Sequence, residues 1–302
     1  LPYTGSWEDP GCELRGHFVG HYLSALSYLV LGTGDGAAGE RLELMVSELA
    51  KVQARLGGGY LSAFPAEHFD RVEQLKGVWA PYYVIHKIML GLLDAHVMGG
   101  STQALTMVTA MADYFHARTS KVIAEKGLAH WERSLETEFG GMNEVLYRLY
   151  RLTLQEQHRE LAAWFDKPRW WKALVAGVDP LSYHHANTHL AQVVGFAERF
   201  NAVADPDAKT AVQNFFNILT TNYSFATGGS NSKEFWQTPQ MMAEAVLQPE
   251  HSLETHEICT QYNVLKIARA LFMWTGDVRY SDFYERALLN GILGVSRLTA
   301  DQ

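Results

Sequence analysis

The sequence predicts an all-α fold in which alternate helices form an inner and an outer ring, that is, an (α/α) toroid. Apolar residues recur at helical spacing along almost the whole chain, for instance at Val212, Phe215, Phe216 and Leu219. No run of alternating apolar and polar residues is bounded by hairpin turns, so we expect no sizeable β-sheet. Glycine-rich joints separate the periodic stretches, as at residues 57–59.

Each predicted helix is one periodic stretch between two such joints. The expected helices cover residues 16–31, 40–56, 79–98, 102–125, 138–153, 156–165, 186–201, 207–222, 260–274 and 278–296. Alternate helices, those starting near His17, Trp79, Glu138, His185 and Thr260, begin with His, Trp, Asn, Glu and Tyr. We therefore expect them to form the inner ring, with their N-terminal ends pointing into a pocket. The alternative is a helical solenoid in which these polar residues are only caps.

Composition narrows the class of protein. The chain has 302 residues, of which 47% are hydrophobic and 19% charged, as in a globular protein, and residues 1–302 suit a single large domain. A net charge of -8 argues against a nucleic-acid partner. The longest apolar stretches, such as Leu23–Leu31, are shorter than the roughly 20 residues of a membrane-spanning helix. No export signal is visible at the N-terminus, so the sequence does not indicate a compartment. It does not indicate an oligomeric state either.

His17 and His21 stand four residues apart on one face of the first predicted helix. Gly16 and Gly20 beside them allow another group to approach closely. The pair is therefore a candidate for binding a sugar or a metal. Hydrogen bonding within the core is the alternative, because no Glu of an HExxH motif accompanies the two histidines.

Aromatic side chains and a histidine gather at the start of the helix over 79–98. Trp79, Tyr82 and His86 are typical of a carbohydrate site, where rings stack on the C–H faces of a sugar and polar groups take its hydroxyls. Core packing by Trp and Tyr is the alternative interpretation.

Two further helix starts carry polar residues suited to ligand hydroxyls. Asn143 and Glu144 follow a double glycine, and His185 and Asn187 belong to a cluster of three histidines and one asparagine in six residues. Helix capping is the alternative for the carboxylates.

The segment from Gly228 onward combines groups suited to acid catalysis and metal binding. Glu234 follows a glycine-rich loop and precedes Phe235 and Trp236, a setting in which desolvation would raise the pKa of a general acid. Glu257 and Cys259 are one residue apart just before a helix, and a carboxylate with a thiolate suits zinc.

Six ordered blocks of this sequence resemble glycoside hydrolase family 127, the β-L-arabinofuranosidases. They are CELRGHFVGHYLSA from Cys12, WAPYYVIHKIMLGLLDA from Trp79, TEFGGMNEVL from Thr137, HANT from His185, the loop 228–236, and EICTQYNVLKIAR from Glu257.

The resemblance implies an (α/α)6 barrel, followed in the family by β-sandwich domains that this chain lacks. It also implies retaining hydrolysis of a non-reducing terminal sugar, β-L-arabinofuranose, by a cysteine nucleophile held on zinc by a Glu and three Cys. Carried over by motif, Glu257 and Cys259 are zinc ligands and Glu234 is the acid/base. His86 and His185 match pocket histidines.

Two departures from the family pattern affect these expectations. The family's Glu-Thr-Cys is here Glu257-Ile258-Cys259, with Glu254 as an alternative zinc ligand. The Cys-Cys pair that contains the nucleophile has no counterpart up to Gln302, and Cys12 belongs to another block. We therefore expect a barrel incomplete at its C-terminal side, and the resemblance leaves catalysis by this chain alone open. A non-catalytic carbohydrate-binding pseudoenzyme and a sugar epimerase or isomerase are the alternatives.

Overall fold

A computed structural model describes residues 4–248 and 255–295. Within these residues the regular structure is helical, and β-type pairing is limited to isolated bridges between single residues. The α-helices are α1 His17–Thr33, α2 Gly36–Leu56, α3 Glu67–Glu73, α4 Pro81–Val97, α5 Thr102–Lys126, α6 Leu128–Ser134, α7 Met142–Thr153, α8 Glu156–Trp164, α9 Pro168–Val175, α10 Ala186–Val203, α11 Pro206–Asn222, α12 Met242–Leu247, α13 Ile258–Thr275 and α14 Val278–Gly291. A 3₁₀ helix follows at Leu293–Val295. The predicted all-α class is confirmed.

The ten expected helices all form, and the main differences are four short helices that the sequence did not predict. These are α3, α6, α9 and α12, each of six to eight residues. Helices of about two turns present too few apolar positions for a period to be recognised. The predicted helix over 138–153 begins only at Met142, and the one over 278–296 ends at Gly291.

The helices group into two compact units, Leu1–Lys167 and Pro168–Gln302. In the first unit, α4 packs against α1, α5 and α7. In the second unit, α10 packs against α11 and α13, and α13 packs against α14. Within each unit, therefore, helices from the predicted inner set contact one another directly.

Backbone contact joins α1 to α4 in the first unit. A Cβ atom placed on Gly20 would lie 1.9 Å from the carbonyl oxygen of Lys87, and one on Gly91 would lie 2.5 Å from the carbonyl oxygen of Gly20. Only glycine permits such an approach. The group that approaches Gly20 closely is thus the backbone of the neighbouring helix α4, which packs directly against α1 at this point.

The core of the second unit anchors its glycine-rich loop. Trp236 is fully buried, with its ring centroid 5.8 Å from that of Phe215 and 6.4 Å from that of Tyr223. Burial of an indole ring removes a large apolar area from water. The buried Trp236 therefore holds the end of the loop, two residues after Glu234, against the core. Among the described helices, none is long and apolar enough to cross a membrane.

Candidate functional site

The residues predicted to form the site fall into two groups, one in each unit. The first unit contains His17, His21, Trp79, Tyr82, His86, Asn143 and Glu144. The second unit contains His185, Asn187, Glu234, Glu257 and Cys259. Each group is described by itself.

His86 is the centre of the group in the first unit. Its side chain is almost fully buried on α4, and its Nδ1 accepts a hydrogen bond of 3.0 Å from the N–H of Gly141. A neutral imidazole that accepts at Nδ1 carries its proton on Nε2. Nε2 lies 3.9 Å from Oε2 of Glu144, which is also buried. The pair therefore combines an N–H donor with a carboxylate.

The double glycine before α7 is required by His86. A Cβ atom on Gly140 would lie 2.7 Å from Nδ1 of His86, and one on Gly141 would lie 2.9 Å from Nε2. Gly140 also has a φ of 58°, which side chains rarely adopt. The Gly-Gly sequence is thus explained by the fit of the backbone around the imidazole ring.

A buried ion pair that the sequence did not single out supports Glu144. Arg148 Nη2 donates to Asp94 Oδ1 at 2.8 Å, and Arg148 Nη1 lies 3.9 Å from Glu144 Oε1. The other Asp94 oxygen accepts from the hydroxyl of Ser24 at 2.8 Å. A charged residue within the apolar run of α4 was the available signal, because a buried carboxylate requires a partner.

Asn143 is committed to an internal network. It is fully buried, and its Nδ2 donates to Asp166 Oδ1 at 3.0 Å. The second Asp166 oxygen accepts from the hydroxyl of Tyr147 at 2.8 Å. Substrate binding by Asn143 stays a prediction, and its observed role is to satisfy a buried carboxylate.

His17 is oriented by Glu8, another residue that the sequence did not single out. His17 Nδ1 lies 2.9 Å from the carbonyl oxygen of Leu14 and 3.0 Å from Glu8 Oε1. Both neighbours are acceptors, so Nδ1 carries a proton. His17 is buried, whereas His21 is exposed, with their ring centroids 6.0 Å apart.

Tyr82 and Trp79 occupy contrasting environments. Tyr82 is 1% exposed and packs edge-to-face against rings of the core, namely Phe69, Phe115, Trp131 and Phe165. Burial raises the pKa of its hydroxyl. Trp79, in contrast, is 49% exposed. Of the two, only Trp79 presents its ring at the surface of the described chain.

In the second unit, Glu234 lies on a tight two-residue turn. Ser232 and Phe235 exchange both backbone hydrogen bonds, at 3.0 and 3.1 Å. The central residues Lys233 and Glu234 have φ values of 48° and 65°, the left-handed geometry of a type I′ turn. A non-glycine residue held in this region is strained, and such strain is concentrated at functional positions.

Backbone pairing places this turn beside the start of α10. The N–H of Ala186 donates to the carbonyl oxygen of Glu234 at 2.8 Å, and that of Trp236 donates to His184 at 3.1 Å. His185 caps α10 because its Nδ1 accepts from the N–H of Thr188.

These backbone hydrogen bonds bring His185 next to Glu234, and the two form a histidine–carboxylate pair. Since its Nδ1 is an acceptor, neutral His185 carries its proton on Nε2, which lies 3.6 Å from Glu234 Oε2. The side chain of Glu234 is 60% exposed, so the expected apolar setting is replaced by an accessible one. The neighbouring Phe235 is also exposed, so that of the two aromatic residues after Glu234 only Trp236 enters the core.

Asn231 links the same loop to α13. It is fully buried, and its Nδ2 donates to Glu257 Oε2 at 2.5 Å. Its Oδ1 accepts from the hydroxyl of Thr260 at 3.0 Å and the N–H of Glu257 at 3.2 Å. Asn187 joins these elements as well, because its Oδ1 accepts from Asn263 Nδ2 at 3.0 Å. The sequence did not single out Asn231 or Asn263 for these roles.

Glu257 and Cys259 lie at the N-terminus of α13, where Cys259 is exposed. Within residues 4–248 and 255–295, no group of three or more His, Cys, Asp or Glu side chains is placed to share a metal ion. Zinc binding by these two residues therefore stays a prediction, since two donors are fewer than a zinc site normally has. Glu254 lies outside the described residues. Cys12 and Cys259 are not joined in a disulfide.

Comparison with known proteins gives a family and a fold. The family model of the β-L-arabinofuranosidase GH127 catalytic domain matches residues 2–302. Similar solved structures include a GH127 β-L-arabinofuranosidase from Geobacillus stearothermophilus T6, with a TM-score of 0.67, 16% identity, and coverage of 92% of this chain and 46% of that one. The GH127 β-arabinofuranosidase BT3674 is similar with a TM-score of 0.66, 17% identity, and coverage of 97% and 47%.

A third structure, described as a glycoside hydrolase, has a TM-score of 0.61 at 13% identity, covering 95% of this chain and 47% of that one. The chain thus spans about half the length of the structures that it matches. No curated protein matches the sequence.

Proposed function

Because the chain belongs to the family of β-L-arabinofuranosidase GH127 catalytic domains, we propose that it removes a terminal β-L-arabinofuranose residue from the non-reducing end of a carbohydrate, with retention of configuration. The observation that supports this most directly is the Glu234–His185 pair. A carboxylate on a turn held by backbone bonds, accessible to solvent and beside an imidazole N–H, suits a general acid and base.

In the first step of the proposed reaction, the nucleophile forms a bond to the anomeric carbon while the bond from that carbon to the glycosidic oxygen breaks, and Glu234 donates its proton to that oxygen. Nε2 of His185 lies 3.6 Å from the carboxylate that remains. In the second step water attacks the anomeric carbon and the bond from that carbon to the nucleophile breaks, while Glu234 takes a proton from the water and returns to its starting state. By resemblance the nucleophile is a cysteine thiolate, and we assign that role to no described residue.

For the first unit we propose that the His86–Glu144 pair takes sugar hydroxyls. An N–H donor and a carboxylate acceptor together satisfy both sides of a hydroxyl group. The double glycine holds His86 in one orientation, so the pair is preorganised for a ligand.

Zinc binding by Glu257 and Cys259 stays a prediction. Two donors are fewer than a zinc site normally has, so further ligands are needed and no catalytic step is derived through the metal. Metal content of the purified chain, measured with and without Cys259→Ala, tests this point.

The acid/base role of Glu234 is tested with two arabinofuranosides that differ in their leaving group. Glu234→Gln should slow hydrolysis of an alkyl arabinofuranoside by about 10³-fold, because its alkoxide leaving group requires a proton. The loss on a nitrophenyl arabinofuranoside should be much smaller, because nitrophenolate leaves without protonation. Glu244→Gln, an exposed carboxylate on α12 of the same unit, is the control and should change neither rate.

Equal losses on both substrates would contradict the acid/base assignment. Binding of an arabinofuranoside by calorimetry with no turnover by the wild-type chain would instead support the carbohydrate-binding alternative.

A further inference from the structure

His86 and Glu144 face each other across a gap that is wider than a hydrogen bond. His86 Nε2 and Glu144 Oε2 are 3.9 Å apart, about 1 Å more than a direct hydrogen bond requires. Both side chains are almost fully buried, with exposed fractions of 3% and 5%. An N–H donor and a carboxylate this close attract each other, so they would approach further if both were free to move. Other contacts therefore hold the two side chains apart.

Each side chain of the pair is held by a contact on its far side. On His86, Nδ1 accepts from the N–H of Gly141 at 3.0 Å, which fixes the ring. On Glu144, the other carboxylate oxygen, Oε1, lies 3.9 Å from Nη1 of Arg148. Arg148 is itself anchored, because its Nη2 donates to Asp94 Oδ1 at 2.8 Å. In this mostly buried setting, the attraction between the guanidinium and the carboxylate competes with the approach of the carboxylate to the imidazole.

Gly141 borders the gap between the two polar atoms. A Cβ atom placed on Gly141 would lie 2.9 Å from His86 Nε2 and 3.1 Å from Glu144 Oε2, so it would contact both groups at once. The backbone φ of Gly141 is -101°, which any residue adopts. Backbone conformation therefore does not require glycine at this position, whereas the space between the two side chains does. The small exposed area of the pair limits access to a group about the size of one hydroxyl.

We propose that Arg148 is a positioning residue that holds Glu144 away from His86, and that Gly141 determines specificity by leaving the gap open for one hydroxyl group of the sugar. A hydroxyl group in the gap accepts from His86 Nε2–H and donates to Glu144 Oε2, so both of its hydrogen-bonding functions are used. The site then selects ligands that place a hydroxyl group there over ligands that lack it. The inference rests on the proposed function for the identity of the sugar.

Calorimetry with methyl β-L-arabinofuranoside and the three analogues that each lack one of its hydroxyl groups tests the specificity role. Every protein carries Glu234→Gln so that no probe is consumed. One analogue should bind about 10- to 100-fold more weakly than the parent sugar, because the hydroxyl that it lacks bonds to a charged group. Gly141→Ala should weaken the parent sugar by the same factor and leave the affinity of that analogue within about threefold.

Gly36→Ala is the matched control for Gly141→Ala. Gly36 also stands at the start of a helix, α2, and a Cβ atom added there would meet no atom within 4 Å. The affinities of all four probes should therefore stay within about twofold of those of the background protein.

Proton NMR of the histidine rings tests the positioning role and needs no ligand. The Nε2–H resonance of His86 is identified by its loss in His86→Gln. Arg148→Met should move this resonance downfield, because Glu144 is released and bonds directly to the imidazole N–H. The same variant should weaken the parent sugar about as strongly as Gly141→Ala does. Arg159→Met, at an exposed arginine of the same unit, should change neither the resonance nor the affinity.

The outcomes separate this inference from the proposed hydrolysis. Thermal unfolding confirms that each variant folds, and Gly141→Ala decides the inference if Arg148→Met does not fold. A hydroxyl preference that Gly141→Ala removes supports the inference even if the wild-type chain hydrolyses no arabinofuranoside, in which case the proposed hydrolysis fails alone. Equal losses for the parent sugar and all analogues in Gly141→Ala, or an unmoved resonance in Arg148→Met, would overturn the inference alone. No binding of the parent sugar would overturn both.

Discussion

His86 in the first unit and His185 in the second are held in the same manner but differ greatly in access to solvent. Each accepts a backbone N–H at Nδ1 and so presents Nε2–H to a carboxylate, Glu144 at 3.9 Å and Glu234 at 3.6 Å. The side chain of Glu144 is 5% exposed, whereas that of Glu234 is 60% exposed.

Under the proposed function, this difference in exposure assigns different tasks to the two pairs. A buried pair supported by packing and by Arg148 has a fixed geometry, which suits recognition. An exposed carboxylate can be reached by substrate and water, which an acid and base catalyst must contact directly. The following predictions test whether the stability of the first unit depends on its buried polar groups, and that of the second unit on backbone strain and on the hydrogen bonds that hold its loop.

The largest effect should come from breaking the buried ion pair of the first unit. Arg148→Met leaves Asp94 buried without its cation and should lower the free energy of unfolding by about 3 kcal/mol. Denaturant unfolding measures the change. Arg159→Met removes an exposed pair with Glu156 in the same unit and should cost roughly 0.5 kcal/mol or less. Similar losses in both variants would show that burial is not what makes the Arg148 pair important.

The fit of the double glycine around His86 gives the next effect. Gly140→Ala combines a left-handed φ with a clash against the imidazole and should destabilise the protein by about 2 to 3 kcal/mol. Gly100→Ala is the matched control, because Gly100 has a φ of 75° and a Cβ atom added there would meet no atom within 4 Å. It should cost only about 1 kcal/mol. Equal losses of stability in the two variants would show that the contact with His86 contributes nothing to the cost of Gly140→Ala.

In the second unit, removal of the Asn231 anchor should cost less. Asn231→Ala leaves the Glu257 carboxylate and the Thr260 hydroxyl without their partner in the loop, and should lower the free energy of unfolding by about 2 kcal/mol. The control is Asn290→Ala at an exposed position of α14, with an expected change within about 0.5 kcal/mol. An unchanged stability in Asn231→Ala would mean that α13 does not hold the loop.

The smallest effect should be a gain from relieving the turn that carries Glu234. Lys233→Asn places a residue that tolerates left-handed backbone at φ 48° and should stabilise the protein by about 0.5 kcal/mol. Lys233→Ala keeps the unfavourable conformation and should give no gain. Equal stability of the two variants in thermal unfolding would argue against strain in this turn.

Particular residues show how far sequence reasoning extends. The helical period predicted α10 and α13 and the polar residues at their N-termini, because a helix face repeats over many residues. Asp94, Arg148 and Asp166 were missed because their pairing joins positions far apart in the chain. The expectation of a desolvated Glu234 also differed from the structure, because neighbouring Phe and Trp residues do not reveal which way a turn directs its side chains.

By itself the sequence determined the all-α class and the family and supplied the candidate site residues, since these depend on local period and on residue types at fixed spacing. Only the tertiary structure decided that Tyr82 packs in the core while Trp79 is half exposed, and that Glu144 is buried while Glu234 is exposed. The physical reason is that burial and hydrogen-bond partners arise from contacts between distant segments, which local patterns do not encode.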